Sequence, residues 1–276
     1  MKLFKTANGI VIEKESRYFL LKETDWDTYI NDDDLYNKLD KVVNTLASTT
    51  DELEEKDILT PIGSQELWAC GVTYLRSKVG REEESKASGA SDFYAKVYEA
   101  DRPEVFFKST PNRIVGHGSL VNIRKDSTWD VPEPELTLIV TTSGKIVGYT
   151  IGNDMSSRSI EGENPLYLPQ AKTYDACAAI GPCVYVPENP IAPSSNIHLT
   201  ISRNNAPVFE GDVTLEQMKR THTELVSFVY RECSFPAGCY IMTGTGIVPG
   251  NDFTLVSGDE ISITIDHIGT LTNTVR

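Results

Sequence analysis

The sequence holds no apolar run approaching the ~18 residues that a membrane-crossing helix needs. Its first residues, MKLFKTANG, lack the apolar core of a secretory signal, so a cytoplasmic location is expected. Positive charge is scarce: 26 Lys and Arg stand against 40 Asp and Glu, a formal balance of −14. Nucleic acids and anionic membranes are held by basic patches, so neither is expected as a partner. Cysteine is sparse and unpatterned. The five (Cys70, Cys177, Cys183, Cys233, Cys239) form an odd set without a C-x-x-C pair, which fits small buried thiols in a reducing compartment. None lies in a cation-rich context, so no catalytic thiolate is expected. Repeats and low-complexity tracts are absent. The glycine-rich TGTGIVPG is no phosphate loop, because no Gly-Lys-Ser/Thr follows it.

What is present centres on VPEPEL at 131–136. In an extended strand Glu133 and Glu135 project from one face, about 7 Å apart. Pro132 and Pro134 donate no ladder hydrogen bond, which marks a strand entrance or edge. The following LTLIVTTSGKIVGYTIGND reads as a hairpin turning at Ser143-Gly144. With that two-residue loop the residue numbers of each facing pair sum to 287. Asp154 then lies across from Glu133, with Cβ atoms about 4.5–5.5 Å apart. Three carboxylates on one face repel, and a divalent cation with oxygen ligands compensates them. A slip of one residue would turn Asp154 to the other face, and a solvated Glu-x-Glu strand is the competing reading.

Around that hairpin, 276 residues suit one large domain or a small one followed by a larger one. Residues 1–24 read as short strands. A helix is expected over 33–46, where Leu35, Leu39, Val42, Val43 and Leu46 share helical spacing. Asp32, Asp33 and Asp34 sit at its dipole-favoured N-terminus. Together these make a small N-terminal α/β unit, 1–62, ahead of a larger unit, 63–276. Residues 76–92 are charge-dense and read either as solvated surface or as a cover over a site. A second helix follows them, capped by Ser91 or Asp92. Glu104, a lone acid at a strand entrance, reads as surface when taken alone. Residues 152–187 read as a long irregular segment, and long ordered loops are usually functional. This one supplies Asp154, Arg158, Glu161, Lys172 and Asp175. One clear helix is expected over 214–233, with Thr214 and Gln217 as a capping box. His222 falls on its apolar stripe with Leu215, Met218, Leu225 and Val229, as a core or interface histidine rather than a ligand.

VPEPEL, GYTIGNDMSSRSIE, LPQAKTYD with AIGP, and TGTGIVPG, in this order and spacing, resemble the fumarylacetoacetate hydrolase superfamily. The resemblance implies an α+β, β-dominated fold: a mixed β-sheet roll preceded by a small N-terminal unit, assembled as a homodimer or higher homo-oligomer. It also implies Glu133, Glu135 and Asp154 as metal ligands, a catalytic Lys172 beside the metal as electrostatic partner or second acid/base (a Schiff base being the alternative), and Arg158 and Thr245 in contact with substrate. Hydrolases of this superfamily often carry Asn-Tyr-x-x-His, whose histidine activates water. Here Thr73-Tyr74-Leu75-Arg76-Ser77 puts serine in that place. ADRPEVFFKST, with VPEPEL and ENPLYLPQAKTYD, resembles instead the 2-keto-3-deoxy-aldonate dehydratase branch. By that resemblance Glu104 matches a catalytic acid/base, which overturns its surface reading. The implied activity is metal-dependent dehydration of a 2-keto-3-deoxy sugar acid, such as 2-keto-3-deoxyarabinonate to 2,5-dioxopentanoate, through a stabilised enolate. An oxygen-only shell implies Mg²⁺, with Mn²⁺ or Ca²⁺ as alternatives. The competing readings are hydrolysis of an acylpyruvate or a 2,4-diketo sugar acid, and a non-catalytic ligand-binding protein on the same scaffold.

Overall fold

Alternating apolar residues build the first three strands, β1 (Lys2–Thr6), β2 (Gly9–Lys14) and β3 (Arg17–Leu21), as an antiparallel meander. The computed structural model describes residues 1–49, 53–84 and 96–276. Two short helices follow the meander, Trp26–Ile30 and Leu35–Val43. The second buries Leu35, Leu39 and Val43, one residue per turn along a single face. It starts later than the expected residue 33 because Asp34 sits at its cap and Asp33 is engaged elsewhere. The Asp33 carboxylate accepts from the Thr141 and Ser143 hydroxyls at 2.5 and 2.8 Å.

Next come β4 (Ile58–Leu59) and β5 (Glu66–Gly71), then the helix Leu75–Glu84. The expected cap at Ser91 or Asp92, and residues 85–92 of the stretch read as a surface segment or cover, lie outside the described residues. The chain resumes with β6 (Glu104–Ser109), β7 (Ile114–Val115), β8 (Leu120–Val121) and β9 (Asp130–Val131). The central hairpin is β10 (Pro134–Val140) and β11 (Ile146–Asp154), followed by β12 (Ser156–Ser157). The segment expected to be irregular carries two short helices, Arg158–Glu163 and Leu168–Lys172. β13 (Ala178–Tyr185), β14 (Asn196–Arg203), β15 (Ala206–Thr214), β16 (Cys239–Met242), β17 (Glu260–Ile265) and β18 (Gly269–Val275) complete the set.

The helix expected over 214–233 shrinks to His222–Val229. Its actual cap is Thr221, whose hydroxyl accepts from the Glu224 amide at 3.2 Å. Upstream, Met218 pairs with Tyr74 as a β-bridge and the Lys219 amide donates to the Thr73 carbonyl at 2.9 Å. These tertiary bonds pull the chain extended where local spacing favours a helix. Thr214 and Gln217 do touch, at 3.2 Å, but flank a single 3-10 turn.

The fold is β-dominated and its principal sheet is mixed. That sheet runs β3-β2-β1-β13-β11-β10-β16-β5-β6, with β4 and β7 attached at its side. β5 joins β16 in parallel, and so does β7 with β13. The N-terminal meander therefore extends the same sheet that holds the central hairpin. A second sheet, β15-β14-β17-β18-β8, packs on one face. Leu136, Leu138 and Ile151 meet Ile197, Leu199 and Ile263 in the core between the two. The other face is covered at one end by the N-terminal helices, where Trp26, Leu35 and Leu39 pack against Ile139, Tyr240 and Met242. Glu133 and Glu135 share the parity of Ile139, so they point from this second face at its opposite end.

The principal sheet is curled. β6 lies four strands from β11, which in a flat sheet would separate them by about 19 Å. Yet Lys108 of β6 brings its Nζ within 2.5 Å of Asp154 Oδ1 on β11. Only a sheet rolled about the acidic end of the hairpin lets one side chain close that distance.

Candidate active site

The hairpin places Glu133 and Asp154 as the parity argument requires, by a different route. From Pro134↔Asn153 to Ile139↔Gly148 the facing residues sum to 287, and the Asp154 amide donates to the Glu133 carbonyl at 2.9 Å. The turn itself is one residue longer than expected. Val140 faces Ile146, the Thr141 amide bonds the Lys145 carbonyl at 2.9 Å, and Gly144 takes φ +82 as the left-handed residue of a three-residue loop. That shift is undone at once by a bulge, in which Val147 faces no partner between Gly148 and Ile146.

At the acidic end, the ligand atoms of Glu133, Glu135 and Asp154 all lie within 4.8 Å of one another, and all three residues are buried. The Gly244 amide donates to Glu135 Oε2 at 2.6 Å. Lys172 Nζ reaches Glu133 Oε2 at 2.6 Å, Asp154 Oδ2 at 3.0 Å and the Ser156 hydroxyl at 2.5 Å. Arg158 donates to Glu133 Oε1 at 2.6 Å, and Arg81 pairs with Glu161 at 3.0 Å. Burial pushes the Glu133 carboxyl up against the pull of Lys172. Burial also raises Glu135 strongly, reinforced by the charges of Asp154 and Glu133. It works against Asp154 too, but Lys108 and Lys172 together outweigh it and hold that carboxyl below its usual range. For Lys172, burial is likewise overcome: Asp154, Glu133 and Glu161 raise its pKa, so it is a cation. Burial lowers Arg158 to about 9.

Three carboxylates converge on oxygen donors alone, the donor set that suits a hard divalent ion. Across the cluster Glu104, Glu133, Glu135, Asp154 and Glu161 outnumber Arg81, Lys108, Arg158 and Lys172, five carboxylates to four cations. The residues therefore fit a bound dication that is balanced in turn by a substrate anion.

Glu104 joins this cluster from β6. Its Oε2 is sealed from solvent and has no hydrogen-bond partner among the described residues, and burial, offset by Arg81, raises its carboxyl. Thr245 is buried next to Gly244, with its hydroxyl closing a local turn to the Ile247 carbonyl at 3.1 Å. Asp175, from the same long segment as Lys172, lies at the surface instead, 3.7 Å from Arg113. Ser77 turns back on its own helix, donating to the Tyr74 carbonyl at 2.7 Å. One turn on, that helix delivers the guanidinium of Arg81. His222 stays outside the cluster, its pKa lowered by burial to about 4. Four of the five cysteines are buried and Cys233 is exposed.

Sequence reasoning passed over Lys108 and Arg81. The signal for Lys108 was the period of two: Glu104, Phe106 and Lys108 share one face of β6. Lys108 is fully buried and also donates to the Met155 carbonyl at 3.0 Å and to the Lys172 carbonyl. Arg81 had no comparable signal, because its partner Glu161 is 80 positions away along the chain.

A profile of the fumarylacetoacetate (FAA) hydrolase C-terminal family matches residues 77–276. The chain belongs to that family. Among its relatives, a probable 2-keto-3-deoxyxylonate dehydratase of Haloferax volcanii is 50% identical over 226 residues, covering 82% of this chain and 77% of the relative. A 2-dehydro-3-deoxy-D-arabinonate dehydratase of Saccharolobus solfataricus is 43% identical over 228 residues, covering 82% and 76%. In three dimensions the chain superposes on 2-keto-3-deoxy-D-arabinonate dehydratase complexed with magnesium and 2,5-dioxopentanoate. The TM-score is 0.84 at 36% identity, and the match covers 100% of this chain and 99% of the other. That structure shares the β-dominated architecture described above.

Proposed function

We propose that the protein dehydrates a 2-keto-3-deoxy sugar acid, of pentonate size in the first instance, as a magnesium-dependent hydro-lyase. The observation that carries this reading is the meeting, in one buried cluster, of the Glu133–Glu135–Asp154 triad with Glu104, whose Oε2 has no hydrogen-bond partner among the described residues. The dehydratases among the relatives, one of them a structure with magnesium and 2,5-dioxopentanoate, support it. Glu133, Glu135 and Asp154 would hold Mg²⁺, which supplies Lewis acidity toward the keto oxygen of a 2-keto acid.

The remaining chemistry falls to the chain. Glu104, raised by burial toward the range of a useful general base, takes the C3 proton. The same proton returns to the C4 hydroxyl, which leaves as water, and tautomerisation of the unsaturated product gives 2,5-dioxopentanoate. Lys172 orients Glu133 and Asp154 and keeps positive charge beside the substrate. Its raised pKa opposes a Schiff-base role, which needs the neutral amine. Arg158 and Thr245 are assigned to substrate contact. At the place of the water-activating histidine stands Ser77, engaged locally with the Tyr74 carbonyl. This favours dehydration over C–C hydrolysis.

Residues 63–276 carry the chemistry, and 1–62 support it, with Asn31 and Asp33 holding the hairpin turn. A cytoplasmic homodimer serving sugar-acid catabolism completes the reading. Among the described residues no helix is long and apolar enough to cross a membrane. Incubation with 2-keto-3-deoxyarabinonate, 2-keto-3-deoxyxylonate and acetylpyruvate, with and without Mg²⁺, tests the assignment. Magnesium-dependent 2,5-dioxopentanoate is expected, and cleavage of acetylpyruvate without any dehydration would refute it. Glu133→Gln is expected to abolish Mn²⁺ binding and turnover together, and retention of either contradicts its role as a ligand.

A further inference from the structure

Glu104 opens β6 directly opposite Gly71, the last residue of β5. A Cβ at position 71 would lie 1.9 Å from Glu104 Oε2, 2.6 Å from its Cδ and 3.3 Å from its Cγ. The carboxylate therefore rests across the backbone of the neighbouring strand, in space that only glycine leaves open. All three nearest atoms belong to Glu104, so its carboxylate is what a side chain at 71 would meet first.

The next residue, Val72, holds φ +54. A β-branched residue in that left-handed region is a conformational outlier, which persists only where surrounding contacts over-determine it. Those contacts are present: the Thr73 hydroxyl donates to the Thr243 carbonyl at 2.7 Å, and Tyr74 bridges to Met218. Thr243 directly precedes Gly244, whose amide holds Glu135. One strained corner thus ties the seat of Glu104 to the metal-binding carboxylates.

We propose that Gly71 is a positioning residue for the proton carrier: its missing Cβ sets where the Glu104 carboxylate lies. The proposal rests on the acid/base assignment of Glu104. Alanine at 71 meets the free end of a flexible side chain, so the fold survives the change. The carboxylate must withdraw by about 1.5 Å to recover the ordinary contact distance of 3.4 Å. Displacements near 1 Å cost on the order of 100-fold in rate.

The test compares Gly71→Ala, Glu104→Gln, Glu104→Asp and the double variant Gly71→Ala/Glu104→Asp. Each is assayed with 2-keto-3-deoxyarabinonate and Mg²⁺, alongside Mn²⁺ affinity by electron paramagnetic resonance without substrate. Gly71→Ala is expected to lower kcat about 100-fold while KM, Mn²⁺ affinity and Tm hold. Aspartate is one methylene shorter and clears the new methyl, so the double variant is expected to outpace Gly71→Ala alone. Wild-type kcat in Gly71→Ala beside an inactive Glu104→Gln overturns the positioning role alone. Loss of Mn²⁺ affinity in step with kcat overturns it as well. Wild-type turnover in Glu104→Gln overturns the acid/base reading, and this proposal with it.

Discussion

Replacing Lys108 with methionine keeps the length and bulk of a fully buried stem and deletes its charge. The ammonium faces Asp154 Oδ1 at 2.5 Å and two backbone carbonyls, those of Met155 and Lys172. Removing one member of a buried ion pair costs about 3–5 kcal/mol, because the surviving charge stays dry. Both carbonyls lose a donor as well, whereas Asp154 keeps Lys172 at 3.0 Å. A loss of about 4 kcal/mol follows, and at about 2–4 °C per kcal/mol for a chain of this size Tm falls about 8–16 °C. The same substitution leaves the acidic cluster one charge more negative. A dication that binds only the folded state stabilises it by mass action, and it binds the more negative pocket more tightly. Mg²⁺ is therefore expected to raise Tm more in Lys108→Met than in the wild type. Calorimetry in EDTA and in matched MgCl₂ checks both signs. A loss under about 3 °C, or a smaller magnesium increment in the variant, would refute the assignment of Lys108 as the cation that closes the roll onto Asp154.

Two further outcomes follow from groups remote from the chemistry. Asp33→Ala removes the acceptor of the Thr141 and Ser143 hydroxyls and is expected to cost about 1 kcal/mol. Its kcat should hold, because that turn lies about 20 Å along β10 from Glu135; chemical denaturation and steady-state kinetics on the same preparation check the pair. His222 is held near 4 by burial, so as pH falls below about 6.5 the unfolded chain takes up a proton that the folded chain refuses. Stability should decline from pH 6.5 toward 4, by less than about 1.4 kcal/mol per unit because the ring is partly exposed. His222→Gln should flatten that part of the Tm–pH curve, and an unchanged slope would remove His222 as its cause.

The site was legible in sequence wherever its geometry is local. Glu133, Glu135 and Asp154 lie on one hairpin, and strand parity alone puts them on one face. Even there, agreement came through cancellation: a three-residue turn moved the register by one, and the bulge at Val147 moved it back. Either irregularity alone would have sent Asp154 to the face of Leu136 and Leu138. The helix expected over 214–233 failed for the opposite reason, since its spacing was sound but Thr73 and Tyr74 recruit residues 218 and 219 into extended pairing.

Lys108 marks the boundary of what local pattern carries. Its face was readable, because it shares parity with Glu104; its partner was not, because Asp154 belongs to a strand four places away in the sheet. That contact exists only through the curl. Across the curl a buried cation on the edge strand meets a carboxylate that repels its two acidic neighbours. If that pair holds the edge strand in place, a neutral residue at 108 should loosen β6, and Glu104 with it, before it disturbs Glu133 or Glu135. Amide hydrogen exchange in Lys108→Met should accordingly rise first along residues 104–109 and stay at wild-type levels through β10. Equal loss of protection in both strands would mean that the roll closes without Lys108.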